Sequence, residues 1–212
     1  MPLVERAVKW LEANWSEEHQ CWPIIPEEAN SSPRAPWWNW DSATASKSVF
    51  NPAADIAATL REHEIDSDLI HKSTSRQIDT LREAADIEDH DLICLVRQVE
   101  CKAINDQTLI TLIRQAIRDK ITKTPDDLAN YGLRPRFIIS SPSSVFCEDS
   151  RTEVDMEMGI LISSQAEDGS WAPNWSWFGQ YEETWLEAEK EWRGAITLDI
   201  LLWFRAFSRI GY

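Results

Sequence analysis

The sequence predicts an all-α fold. Three observations predict it. Only six glycines occur in 212 residues. Strict alternation of apolar and polar residues, the mark of a half-buried strand, is hard to find. Apolar residues instead recur at steps of three and four through most of the chain, which is the period of a helix face. About seven or eight helices on short connections imply antiparallel helix pairs, here within a single domain spanning residues 1–212.

The elements follow in order. Val4, Val8 and Leu11 form the first stripe. "NPAADIAATLREHE" reads as a helix with Asn51 as N-cap, Pro52 at the first helical position, and Ala53, Ile56, Ala57 and Leu60 on its apolar face. Ile70, Ile78, Leu81 and Ala85 mark the next helix, and Leu92, Val96, Val99 and Ala103 the one after. A further helix carries Leu109, Leu112, Ile113, Ala116, Ile117 and Ile121. Thr124, Pro125, Asp126 and Asp127 give the cap, proline and acidic first turn of a short helix. Residues 132–148, with two prolines and four serines, read as a long loop with an extended piece. Val154, Met158, Leu161 and Gln165 share a face. In the last segment Tyr181, Trp185, Ala188, Trp192 and Ile196 step by four, three, four and four, then run into "AITLDILLWFRAF". That stretch is apolar almost all round, which predicts a central helix.

Composition narrows the function. Apolar residues make up 43% of the chain, ordinary for a packed core. The charge is −15, from 21 basic and 36 acidic residues, and such a surface repels phosphate backbones and anionic lipid. Nucleic acid and membrane are therefore disfavoured as partners. The N-terminus is amphipathic and lacks the apolar core of a signal peptide. The longest apolar run, Ile200 to Phe204, is far too short to span a bilayer. Four cysteines, Cys21, Cys94, Cys101 and Cys147, are widely spaced and form neither a metal-knuckle nor a disulfide pattern. A reduced, cytoplasmic protein is the expectation.

All twelve tryptophans lie within residues 1–40 or 171–203. This predicts that the two ends of the chain meet and share an aromatic region. Its rings either fill a gap in the core or line a cavity for an apolar or transiently cationic ligand, which aromatic faces stabilise by roughly 0.5–2 kcal/mol each. "PWWNW" and "PNWSW" fall in Pro-, Asn- and Ser-rich connections rather than on helix stripes, and rigid aromatic loops make good pocket walls. Trp37, Trp38, Trp40, Trp175 and Trp177, with the neighbouring Phe178 and Tyr181, are the expected substrate-binding residues.

"GILISSQAEDGSW", Gly159 to Trp171, resembles the Gln–Trp repeat of the squalene/hopene cyclase and protein prenyltransferase superfamily, with Gln165, Gly169 and Trp171 at its positions. Glycine there permits a turn with positive φ, and the Gln amide can satisfy free backbone groups at a helix end under the indole. "RAVKWLEANWSEEHQCWP", Arg6 to Pro23, is similar in its helix-then-Trp-Pro layout but lacks the Gln and Gly. The resemblance covers the two ends of the chain. It implies a partial α/α toroid around an aromatic-lined cavity, either abbreviated, with the aromatic loops closing the gap, or completed by a second subunit as a homodimer. It also implies a non-canonical cyclase or isomerase acting on an apolar, terpenoid-derived or polycyclic small molecule. The alternative is a non-catalytic binding or structural module that keeps the fold.

The chemistry such an enzyme needs is thinly represented. The cyclase motif Asp-x-Asp-Asp has its nearest counterpart in Asp86-Ile87-Glu88-Asp89, where Glu replaces the proton-donating Asp and a helix start explains the acids equally well. The zinc ligands of the prenyltransferases have no evident counterpart: His90, Asp91 and Cys94 on one helix would need a further ligand from elsewhere, so no metal is assigned. No Gly-rich phosphate loop occurs, and no cofactor is expected. His90, Cys94, Arg97 and Cys101 lie opposite the stripe of their helix, either as a polar cavity wall including Cys94 or as a solvated face. His90 and Asp91 are the acid/base candidates, although neighbours on a helix diverge by about 100°. Arg34, Arg134 and Arg136 read either as ligands for an anionic tail or as surface and helix-capping arginines.

Overall fold

The computed structural model describes residues 3–41 and 49–210. Among these it is all-helical: α1 (Leu3–Ala13), α2 (Ala53–Glu62), α3 (Asp68–Glu83), α4 (Asp89–Glu100), α5 (Gln107–Lys120), α6 (Pro125–Ala129), α7 (Pro135–Ile138), α8 (Arg151–Ser163) and α9 (Glu182–Ala206), with three short 3-10 turns. Two isolated bridges, Ser16–Cys21 and Ile121–Leu133, are the extended pairings present among the described residues. The chain divides into two compact units. The first takes the residues up to Ala29 and Trp40–Ala116; the second takes Asn30–Asn39 and the chain from Ile117 onward.

The first unit is built on the alanine-rich α2. Ala53, Ala54, Ala57 and Ala58 are wholly buried, and side chains this small let other helices approach closely. α2 packs against both α3 and α4. Gln98 of α4, fully buried, donates to the Ala54 carbonyl at 2.7 Å and accepts from Arg61 at 3.3 Å, so its amide is used on both sides. Arg97 of α4 reaches Asp55 at 2.8 Å and also pairs with Glu62, both on α2. Cys21, Trp22, Ala53, Ala57, Leu60 and Ile70 form a core cluster, flanked by Val8, Leu11 and Trp15. Helix α2 begins one residue later than the spacing predicts. Pro52 is its N-cap after a cis Asn51–Pro52 bond, and Asn51 is turned to α4 instead. The backbone N–H of Asn51 donates to Asp91, and its side-chain oxygen accepts from the Cys94 thiol.

In the second unit the Thr124 cap is as expected. Thr124 and Asp127 form a capping box at the start of α6, and these bonds hold the Asp127 carboxyl below its usual range. The stretch 132–148 has its extended piece at Leu133, bridged to Ile121, and within the expected loop then holds a helical turn, α7. Pro135 opens it, and the Arg136 backbone N–H finds an acceptor in Glu157 of α8 at 2.9 Å. Glu157 is fully buried. It also accepts from Arg136 Nε at 3.1 Å and lies 3.8 Å from Arg134. Burial pushes the Glu157 carboxyl up and the Arg136 guanidinium down, and each opposes the other's shift.

Helix α9 is not central. Ile200, Trp203 and Phe204 bury one face, followed by Phe207 just past the helix end, and Trp203 donates its indole N–H to the Ile139 carbonyl at 2.7 Å. Leu198, Leu201 and Leu202 face outward and are exposed. Apolar composition all round would bury a helix on every side if the chain supplied enough partners; the second unit supplies them for one side.

Both ends of the chain close a helix with an indole. Trp171 donates to the Leu161 carbonyl in the last turn of α8, at 2.9 Å. Trp22 donates to the Leu11 carbonyl in the last turn of α1, at 2.8 Å. The bonded partners are ten and eleven residues apart. Each adds a strong donor to a last-turn carbonyl that otherwise has only a longer bond, from the Asn14 N–H to Leu11 at 3.2 Å and from the Ser164 hydroxyl to Leu161 at 3.4 Å. Gly169 takes φ +83° in the turn before Trp171, and Gln165 donates to the Gly169 carbonyl at 2.9 Å. The Gln amide therefore braces the turn, and the indole caps the helix.

Candidate aromatic site

Six aromatic rings gather in the second unit. Trp175 is at the middle. Its ring centroid lies 5.9 Å from Trp37, 5.4 Å from Trp185 and 5.1 Å from Trp192. Trp37 also meets Phe178 at 6.2 Å, and Trp177 meets Trp185 at 5.4 Å. Trp37 and Trp175 are nearly perpendicular, at 87°, as are Trp175 and Trp192, at 80°. Such edge-to-face pairs contribute about 0.5–1.5 kcal/mol beyond burial. Centroids this close leave no space for a ligand between the rings. Trp177 is buried and Trp175 half-buried, whereas Trp37, Trp38, Trp192 and Phe178 remain exposed. The cluster is a platform rather than the lining of an enclosed cavity.

The local backbone explains its shape. Trp37 sits on a 3-10 turn, Pro36–Trp38. Arg34 fastens the preceding loop by donating to Asn39 Oδ1 at 2.9 Å and to the carbonyls of Asn30 and Ser32. Across the platform, Phe178, Gly179 and Tyr181 have φ of +52°, +80° and +49°. Left-handed conformation disfavours residues with a Cβ by roughly 1–2 kcal/mol each. The turn spends that energy to hold Phe178 outward, 75% exposed, and to start α9 at Tyr181. Trp185 and Trp192, one face of α9 seven residues apart, support the platform from below. Their shared face was visible in the spacing; their part in the site was not, because it depends on which loop lies over them.

The expected site residues divide between the two units. Trp37, Trp38, Trp175, Trp177, Phe178 and Tyr181 belong to the second unit, whereas Trp40, His90, Asp91 and Cys94 belong to the first. There Trp15 and Trp22 make their own pair, with centroids 4.8 Å apart. Cys94 and Arg97 are engaged with Asn51, Asp55 and Glu62, so this side of α4 is covered by α2 and its N-terminal approach. Asp91 holds the Asn51 N–H at 3.2 Å, and His90, next to it in sequence, is exposed. Arg134 and Arg136 are occupied by Glu157, and Arg134 also donates to the Leu128 carbonyl at the end of α6. Asp86–Asp89 is the acidic approach to α4, with Ile87 buried. Among the described residues no group of three or more His, Cys, Asp or Glu side chains is placed to hold a metal ion. No described helix is long and apolar enough to cross a membrane.

Cys94 has a checkable chemistry. Burial pushes its thiol up to about 12, and Asp55 and Asp91 add to the rise. The folded thiol stays neutral until about pH 12, while a thiol of ordinary value ionises near 9.0. Cys94 therefore stabilises the fold below pH 9, and that contribution is lost as pH rises from 9 toward 12. In the native protein at pH 8, iodoacetamide should leave Cys94 unmodified, and peptide mass mapping should find it alkylated after denaturation. Rapid native alkylation would contradict the buried, neutral thiol.

No known family model, curated protein or solved structure matches this chain.

Proposed function

We propose that the protein is a binding module whose second unit presents the tryptophan platform to an apolar, ring-bearing small molecule. The observation that carries this reading is the contact of Trp37 with Trp175 and Phe178, from stretches of chain far apart in sequence. It assembles exposed indole and phenyl rings around a packed aromatic centre. Flat apolar ligands gain from such a surface by burying area at about 25 cal/mol per Å² and by stacking. The strained turn at 178–181 favours recognition over mere packing, because backbone strain held at an exposed aromatic residue has no benefit to the core.

Catalysis on the same platform, as a cyclase or isomerase, is the second reading. The matched helix–turn–indole closures at Trp22 and Trp171 favour it, since they extend the likeness to the Gln–Trp repeat family. Against it, Asp91 of the acid/base pair already accepts a backbone bond.

Intrinsic fluorescence tests both readings. Titration with a panel of polycyclic terpenoids should quench or shift the emission saturably. Trp175→Ala, which removes the ring at the middle of the cluster, should weaken binding at least tenfold, about 1.4 kcal/mol. Trp10→Ala, at an exposed position in the first unit, should leave binding unchanged. A flat titration across the panel sinks the binding reading. An isomeric product from a bound terpenoid would favour catalysis.

A further inference from the structure

We propose that the outward face of α9 is a self-complementary interface at which two copies of the chain pair their α9 helices antiparallel. Glu191, Gly194, Ala195, Leu198, Leu201, Leu202 and Arg205 recur at steps of three, one, three, three, one and three, and all seven are exposed. At 100° per residue they form one stripe, opposite the buried Ile200, Trp203 and Phe204. Leu198, Leu201 and Leu202 are 57%, 37% and 42% exposed. The spacing is that of a helix-pairing seam.

The order of residues selects the partner. Leu198 lies at the centre of the stripe. Ala195 and Leu201 flank it at three residues, Gly194 and Leu202 at four, and Glu191 and Arg205 at seven. An antiparallel pair with its two-fold axis at Leu198 sets Leu198 against its own copy, each large leucine against a small residue, and each glutamate against an arginine. A two-fold interface requires such matching of a surface with itself. Parallel pairing would set Glu191 against Glu191 and Arg205 against Arg205.

Gly194 gives independent support. A glycine inside a helix is destabilising by about 1 kcal/mol relative to Ala. A Cβ added at Gly194 would meet nothing within 4 Å in its own chain. Nothing within the chain requires the missing side chain, whereas a facing Leu202 would. The net charge of −15 also makes the pattern informative. Two acidic chains repel on average, so close association needs a patch where opposite charges meet.

Sedimentation equilibrium on the whole protein at micromolar concentrations tests this. The wild type should run at twice the monomer mass. Gly194→Leu fills the space for the facing leucine, and Leu198→Glu sets two carboxylates together on the axis. Both positions are exposed, so both variants should keep the native circular dichroism and run as monomers. Glu191→Arg and Arg205→Glu should each weaken the dimer roughly five- to tenfold by turning two attractive pairs repulsive. The double exchange should restore it. A wild type that is monomeric throughout overturns the proposal. So does a dimer indifferent to Gly194→Leu and Leu198→Glu. Failure of the double exchange to restore pairing overturns the antiparallel register.

Discussion

Glu157→Ala is expected to destabilise the protein by about 3–5 kcal/mol, the range for breaking a buried ion pair by removing one partner. The carboxylate accepts both the backbone N–H and the Nε of Arg136 and lies within ion-pair distance of Arg134. Both arginine side chains are nearly buried. Without Glu157, α7 loses the acceptor at its first turn and two guanidinium groups lose their counter-charge. Glu157→Gln should be nearly as damaging, since its amide keeps the size but not the charge. Pairing Glu157→Met with Arg136→Met should recover part of the loss, because the desolvation penalty of both ions disappears with them. Urea melts read all three. A Glu157→Ala midpoint equal to wild type would mean that the arginines reach solvent.

Trp203→Ala is expected to cost a similar amount, about 3–5 kcal/mol, from lost burial and an unfilled cavity. The indole is buried, stacks on Phe204 with centroids 6.2 Å apart and meets Phe207 at 5.5 Å. Trp203→Phe separates packing from polarity. It keeps a ring but leaves the buried Ile139 carbonyl without the indole N–H, a loss of about 1–3 kcal/mol. Both values follow from denaturant midpoints at unchanged slope. If Trp203→Phe is neutral, the carbonyl has found another donor.

The helices were legible because their periodicity is local. Three- and four-residue apolar steps mark most of the long helices, though the buried face of α3 runs through Ser73, Thr74 and Gln77. Thr124 to Asp127 spelled out a cap that forms as written. Helix α7 was hidden because the acceptor for its first turn is Glu157, in a different helix 21 residues on. The apolar run of α9 correctly marked a helix but not its setting. Hydrophobicity all round tells how much surface could be buried, not what is present to bury it. The site was legible as composition: two tryptophan-rich connections. That Trp37 would meet Trp175 while Trp15 met Trp22 was not, since ring pairing depends on how the chain divides into units. His90 and Asp91 looked like partners because they are neighbours in sequence. On a helix that adjacency separates them, and Asp91 serves the backbone of Asn51.

The membership of Trp37 in the second unit bears on how the protein is made. The segment Asn30–Asn39 leaves the ribosome early, but Trp175 and Phe178 follow about 140 residues later. At roughly 5–20 residues per second, translation takes roughly 7–28 s to deliver them. Through that interval Trp37 lacks its contacts with Trp175 and Phe178, an invitation to chaperones or to self-association of nascent chains. A gene fragment beginning at Ile117 would carry the reverse defect, with Trp175 made and its covering indole absent.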